Sequence, residues 1–340
     1  MKLIKTEDAV GQTVAHDMTQ IIPGAYKGPR FKRGHVIKEE DIPILLDMGK
    51  EQIYVWEVQA DMLHEEEGAV LLSDLVRGSN VRGGKVFEGK VELFAECDGL
   101  LKIKSEKLFQ LNCVEGLAAI TRRNHIDVKK EDRIASAKII PLLIEKEKFI
   151  QAAEICGEEK LISVIPYALK KVGIIVTGNE VYSGRIPDAA VPTISKKIEA
   201  LSGKTAETIT LDDDHEKITN AILAMVDHGM DMIVCSGGMS VDPDDKTPLA
   251  IKNSGARIVT YGMPIMPGVM LLLSYYEKKG AKPIPIVGTP ACVLHDSITA
   301  FDVLLPRLMA DDMITREELM RYAEGGLEVS ALAGREYNHV

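Results

Sequence analysis

From Lys171 onward the chain repeats one unit, an apolar run, a short polar loop and an amphipathic stretch, and no other feature limits its possible folds so sharply. VGIIVT (172–177) is almost unbroken apolar sequence, the pattern of a strand buried on both faces. VPTISKKIEALSG (191–203) carries proline early and glycine late, as helices prefer. TAETITL, then DDDHEKITNAILAMVDHG with carboxylates at its start and Gly229 at its end, then MDMIVCS continue the alternation. PIPIVG (283–288) adds a late strand, and CVLHDSITAFDVLLPRL a long apolar-faced helix. Short links between alternating strands and helices require right-handed crossovers, so the fold class is α/β, with residues 171–310 as a three-layer parallel-sheet domain.

The part before it reads as smaller α+β and β-rich units. Residues 1–60 punctuate short extended stretches with Pro23, Gly24, Gly28, Pro29 and Gly34, and EEDIPILLDMGK closes on Gly49 and Lys50 as a helix does. HEEEG (64–68) reads as a boundary. Residues 66–165 read as a mixed β-rich domain with runs such as KVFEGKVELFAE and an amphipathic stretch around Lys104 to Gly116, and 311–340 as a C-terminal tail. A chain of 340 residues, 46% hydrophobic and 27% charged, accommodates two or three such domains.

A formal net charge of −10 speaks against a nucleic-acid surface, which needs clustered Lys and Arg. KGPRFKRGH (27–35) and TRRNH (121–125) are short and read as solvated loops. Cys97, Cys113, Cys156, Cys235 and Cys292 are scattered, odd in number and never spaced CxxC, so they suggest neither a disulfide framework nor a zinc site. MKLIKTEDAV lacks the apolar centre of a signal peptide. No run reaches the ~18 to 20 apolar residues that span a bilayer. The expectation is a cytoplasmic protein with reduced thiols and no membrane partner.

In an open α/β sheet, ligands sit beyond the carboxyl ends of the strands. The unusual residues fall there: TGNE (177–180), DDD (212–214), SGGMSVDPDD (236–245) and GTP (288–290). Gly237 and Gly238 let the backbone bend and present N–H groups, Ser240 adds a hydroxyl, and the following helix adds a positive N-terminus, a combination that suits a phosphate. Gly, Ser and Asp also serve ordinary capping turns. Capping does not account for Asp242, Asp244 and Asp245 in one loop with Glu180 and Asp213 on the same rim; a divalent cation such as Mg²⁺ reconciles such carboxylates with a phosphate. GxxxxGK[ST], GxGxxG after a strand and HExxH are absent. His215, in the first turn of one helix, and His295, inside another, are the histidines placed to touch a ligand; His16, His35, His64, His125, His228 and His339 read as surface or packing groups.

Taken together, TGNE (177–180), DDDHEKI (212–218), SGGMSVDPDDKT (236–247), MPG (266–268) and GTP (288–290) resemble, in order and spacing, the molybdopterin-binding domain of the MoeA/gephyrin family. The family pattern is TGDE, DD before a helix, SGGVSVGxxDxT, KPGKP and PGNP. AVGQTVAHDM (9–18) and RGHVIKEEDIPILLDMGKEQIYVWE (33–57) resemble its N-terminal segments more faintly, and the family's C-terminal β-barrel-like domain is expected to be missing. The resemblance implies a role in molybdenum cofactor biosynthesis: binding molybdopterin or its adenylated form and inserting molybdate. It implies metal binding by Glu180, Asp213 and Asp245, with Glu180 and Asp245 catalytic. It implies ligand binding by Thr177, Gly178, Ser236, Gly237, Gly238, Ser240, Lys246, Gly288 and Pro290. A homo-oligomer and other cofactor-biosynthesis proteins are the expected partners. On this view a branched residue at Gly238 weakens ligand binding at little cost in stability.

Two departures stand out. Where the family has KPGKP this chain has Met266-Pro267-Gly268-Val269-Met270, and where it has PGNP, Val287-Gly288-Thr289-Pro290. Without the lysines, each charge-assisted hydrogen bond missing from a bound dianion costs ~1.5 to 3 kcal/mol unless Lys246, Arg185 or Lys196 supplies it from another loop. The alternative readings are a non-catalytic molybdopterin carrier, sensor or accessory protein, and, from another class, a domain that binds an unrelated nucleotide or acts only as an assembly scaffold.

Overall fold

A computed structural model of the chain describes residues 1–22, 24–55, 61–240, 242, 243 and 245–334. The chain forms two compact units: Met1–Phe94, Lys104–Arg122 and Arg133–Ile162 make the first, and Ala95–Ile103, Arg123–Asp132 and the chain from Ser163 make the second. The stretch 66–165 therefore contributes to both.

In the first unit, Lys2–Lys5 pairs with Gln52–Val55 and Met18–Ile22 with Tyr26–Phe31, around a core of Ala9, Val14, Ile37, Leu45 and Ile53. The expected helix runs Asp41–Asp47. HEEEG, read as a boundary, opens the helix Glu65–Val76 instead. Its three carboxylates occupy the first turn, where the helix dipole favours negative charge. His64, read as a surface or packing group, is the cap: Nδ1 accepts the Glu66 N–H at 3.3 Å and lies 3.2 Å from Arg33 Nη1, while Nε2 donates to the Ala15 carbonyl at 3.1 Å. That bonding requires the neutral ring, and burial, reinforced by Arg33, lowers its pKa.

The second unit carries the α/β fold. Numbered from its own first strand, the sheet consists of β1 (Lys171–Thr177), β2 (Lys204–Leu211), β3 (Met232–Ser236), β4 (Arg257–Tyr261), β5 (Leu272–Tyr276) and β6 (Ile284–Thr289). Their order is β2-β1-β3-β6-β5-β4. The first four in that order are parallel neighbours, whereas β5 runs antiparallel to both β6 and β4. The strands RIVTY and LLSYY add to those expected from the sequence pattern. Alternate residues feed two cores, as a strand period of two requires. Val172, Ile174, Val176 and Val234 pack with Ile194, Ile198 and Phe301, from helices α1 (Ala190–Glu199) and α4 (Ala300–Met309). Ile175, Ile233, Cys235 and Ile286 pack on the opposite face with Ile218, Ile222 and Ile251, from α2 (His215–Asp227) and α3 (Thr247–Asn253).

The last helix differs from the expectation of one run through 292–308. A short 3₁₀ turn covers Ala291–Leu294, and α4 starts only at Ala300. Thr299 stops a continuous helix because it forms a capping box: its Oγ1 accepts the Phe301 N–H, and Asp302 accepts the Thr299 N–H at 2.8 Å. Asp302 is buried and also receives Lys197 Nζ at 2.7 and 2.9 Å. The segment read as a tail packs Ile314, Leu319, Val329 and Leu332 into the α1–α4 core.

Arg307, fully buried in α4, donates to Asp312 at 2.6 Å and Glu318 at 3.0 Å, and Lys102 reaches Asp312 at 2.7 Å. Burial alone would raise the Asp312 and Glu318 pKa values, but their hydrogen bonds and these cations hold both below the ordinary carboxylate range. His125, beside the same charges, falls to about 4 through burial, then Arg307 and Lys102. Arg307→Met takes the guanidinium from Glu318 and leaves Asp312 to Lys102, and is expected to destabilise this unit by about 3 kcal/mol, read from urea melts. The unfolded chain binds protons at His125 below its ordinary 6.5 while the folded ring stays neutral to about 4, so stability declines as pH falls through that window. His125→Asn, which tolerates the local φ of 65°, is expected to flatten that decline in melts between pH 7 and 5.

Candidate functional site

β3 ends in buried Ser236, and the chain then turns through Gly237 at φ 101° and Gly238 at φ 56°. A side chain at Gly237 would overlap the Thr177 carbonyl oxygen, and one at Gly238 would lie 2.9 Å from Thr247 Oγ1. The turn is fastened by hydroxyls. Thr247 Oγ1 donates to the Gly237 carbonyl at 2.8 Å, which leaves it to accept from Thr177 Oγ1 at 3.1 Å. The Thr247 N–H reaches the Gly238 carbonyl at 3.2 Å. Beyond the turn, Met239 is buried against Gly288, whose missing side chain makes room for its sulfur and methyl. The Tyr261 hydroxyl lies 2.9 Å from the Met239 carbonyl and 3.2 Å from that of Ser240. Burial, and secondarily the charge of Asp245, pushes the Tyr261 pKa up, so it remains a donor.

These elements border a cavity of about 440 Å³. Of the residues expected at the site, Gly237, Gly238, Ser240, Asp245 and Pro290 line it. Met266 and Val269, the positions that depart from the family pattern, line it too. Sequence reasoning missed Met239, Met270, Thr289 and Cys292 as wall residues, although the first three stand inside stretches singled out there. Burial, then Asp296, raises the Cys292 pKa, so it presents a neutral thiol. Among the described residues that line it, Asp245 is the one charged side chain.

The other expected residues lie outside the lining. Thr177, Ser236 and Gly288 belong to strand ends and hold the floor from beneath. Gly178 donates its N–H to the Leu211 carbonyl at 3.3 Å, and Lys246 Nζ donates to the Pro243 carbonyl. Glu180 is exposed in the short helix Asn179–Tyr182. Asp213 accepts the Asn179 N–H at 3.0 Å, tying the loop after β1 to the loop after β2. Among the described residues no three His, Cys, Asp or Glu side chains gather as a metal site. Asp244 lies outside the described residues, as does His339. Neither Arg185 nor Lys196 reaches the cavity wall; Lys196 lines a separate groove with Lys197 and His295. His295 is exposed between the 3₁₀ turn and α4, and His215 begins α2 with Nδ1 buried and unpaired.

The domain matches a known family model. Residues 173–310 match the model described as a probable molybdopterin binding domain, and residues 3–57 match one described only as a domain of unknown function. A CinA-like protein of Mycobacterium avium is 36% identical over 77 residues, covering 23% of this chain and 18% of that protein. A CinA-like protein of Pseudothermotoga lettingae is 37% identical over 86 residues, 25% and 21% of the two chains. The chain thus spans about a fifth of the length of these curated relatives. Among solved structures, the tungsten cofactor synthesizing protein MoaB of Pyrococcus furiosus matches at 15% identity and TM-score 0.32, over 37% of this chain and 86% of that one. The molybdopterin biosynthesis Mog protein of Mycobacterium ulcerans matches at 19% identity and TM-score 0.31, over 41% and 94%. The similarity is to molybdopterin-binding domains broadly, with CinA-like proteins among the relatives, and does not single out MoeA and gephyrin. Among the described residues no helix is long and apolar enough to cross a membrane.

The geometry revises one expectation. Gly237 and Gly238 are needed by the fold itself, so substitution there costs stability as well as ligand affinity. Gly237→Ala is expected to destabilise the domain by about 1–3 kcal/mol, whereas Ser240→Ala, on the exposed cavity wall, stays within about 0.5 kcal/mol of the parent in thermal melts.

Proposed function

We propose that the second unit binds molybdopterin, with the heterocycle in the cavity over β3 and β6. One observation carries the reading: Gly237, Gly238 and Asp245 from one loop and Pro290 from another line a single cavity within the segment that matches the molybdopterin-binding model. Its size suits a fused-ring ligand, and its wall of Met239, Met266, Val269 and Met270 suits an uncharged ring face. The ligand phosphate, placed in the glycine turn by the sequence reading, is better accommodated at the mouth, since like charges ~4 Å apart near a surface repel by ~4 kcal/mol.

The function that follows is a molybdopterin-binding carrier or accessory protein of cofactor biosynthesis. Molybdate insertion is the second reading, favoured by the carboxylate of Asp245 in the cavity and weakened by Met266 and Val269 in place of the family lysines. Mass spectrometry of protein purified from a pterin-producing host tests the first: bound pterin is expected. Ala291→Trp, which fills the cavity from an exposed position, is expected to cut occupancy at least tenfold at nearly unchanged melting temperature. Protein without pterin, or equal occupancy in the variant, refutes it. Molybdate- and MgCl₂-dependent formation of active cofactor, lost in Asp245→Asn, would establish insertion; no such activity in the parent protein leaves binding alone.

A further inference from the structure

Asp245 combines two properties that a capping residue does not have. Among the described residues it is the one charged side chain on the cavity wall, and its carboxylate has no hydrogen bond or ion pair. Its backbone N–H donates to the Asp242 carbonyl at 2.9 Å. Asp245 lines the cavity together with Met239 and Ser240, whose carbonyls are held by the Tyr261 hydroxyl at 2.9 and 3.2 Å. A partly buried carboxylate beside thioethers and methyls, without a donor of its own, is complemented by a ligand that brings donors.

Resting on the reading that the cavity receives a pterin, we infer that Asp245 selects the ligand by its aminopyrimidinone edge. A 2-amino-4-oxo-pteridine carries two parallel N–H donors, the 2-amino group and ring N3, spaced as a carboxylate's two oxygens accept them. The pairing is charge-assisted and bidentate, as between a guanidinium and a carboxylate. The ring enters edge first, its faces lie against the thioethers of Met239, Met266 and Met270, and the phosphorylated side chain points outward. The ligand class is therefore a 2-amino-4-oxo heterocycle. A 2,4-dioxo-pteridine presents an acceptor where the amino group should be and is rejected by repulsion between that oxygen and the carboxylate. Guanine carries the same edge on a smaller ring system and is the other source of this chemistry.

Titration with 6-hydroxymethylpterin, 6-hydroxymethyllumazine and guanosine, followed by calorimetry, tests the inference. The parent protein is expected to prefer the pterin over the lumazine by about 10- to 100-fold, the discrimination a good bidentate pair confers. It is also expected to prefer the pterin over guanosine. Asp245→Asn exchanges one acceptor for a donor, which matches N3–H and O2 of the lumazine, so the preference is expected to invert. Asp245→Ala is expected to bind both pteridines weakly and alike, with circular dichroism confirming that each variant is folded. A merely structural role would weaken both ligands together without inversion. Parent affinities within threefold of each other, an unchanged preference in Asp245→Asn, or tighter binding of guanosine overturns the inference. If such a result is found while purified protein still carries molybdopterin, the binding reading stands; if neither purification nor titration shows any pterin, both fall.

Discussion

The interaction on which the candidate site depends is the approach of Gly237 to the carbonyl oxygen of Thr177, so close that no side chain fits between them. It brings the loop after β3 down onto the end of β1, where Thr177 and Thr247 exchange a hydroxyl hydrogen bond and Thr247 holds the Gly237 carbonyl. Three separate pieces of chain, the end of β1, the glycine turn and the start of α3, are thereby locked together, with Thr177 and Thr247 themselves buried. Loops that carry function are otherwise the least ordered parts of an α/β fold. Here the loop's first residues are fixed from below, and Ser240 and Asp245 on its far side face the cavity.

The rest of the unit supports that floor. Met239 fills the space left by Gly288 on the neighbouring strand, so β3 and β6 are packed together beneath the cavity. α4 is buried along its whole length, which demands that its polar groups be satisfied internally. Asp302 answers Thr299 and Lys197, and Arg307 answers Asp312 and Glu318. Such buried pairs return little net stability over an apolar packing, but losing one partner is costly, so they hold the helix in a single position.

Much of this architecture is legible in the sequence because the signals are periodic. VGIIVT and MDMIVCS have the unbroken apolar character of strands buried on both faces, and the rule that ligands gather at strand carboxyl ends points to the loop holding Gly237, Gly238, Ser240 and Asp245. Local and ambiguous signals are less informative. RIVTY and LLSYY are short β-branched or aromatic stretches separated by a proline- and glycine-rich loop, which reads as irregular sequence until β6 supplies a partner. The acidic run at HEEEG carries the signature of a helix start as strongly as that of a linker, and the cap comes from a histidine, a residue type outside the usual capping set. Position after successive strands groups the carboxylates together, but adjacent loops can turn to different sides: Asp213 bonds to the Asn179 backbone, while Asp245 lines the cavity.

That separation changes what the acidic residues can mean. A set of carboxylates around one point calls for a cation, whereas one carboxylate in a largely apolar wall, as among the described residues here, is complemented by hydrogen-bond donors on a ligand. Met266 and Val269 on the same wall act in the same direction, bringing no cation to draw an oxyanion inward and leaving surfaces suited to a flat, polarizable ring. An anionic ligand group gains nothing inside such a cavity and is repelled by Asp245, so charge alone orients a ligand that has a heterocycle at one end and a phosphate at the other. The same two features, a carboxylate and apolar side chains on one wall, are the grounds on which we propose that the cavity receives a heterocycle.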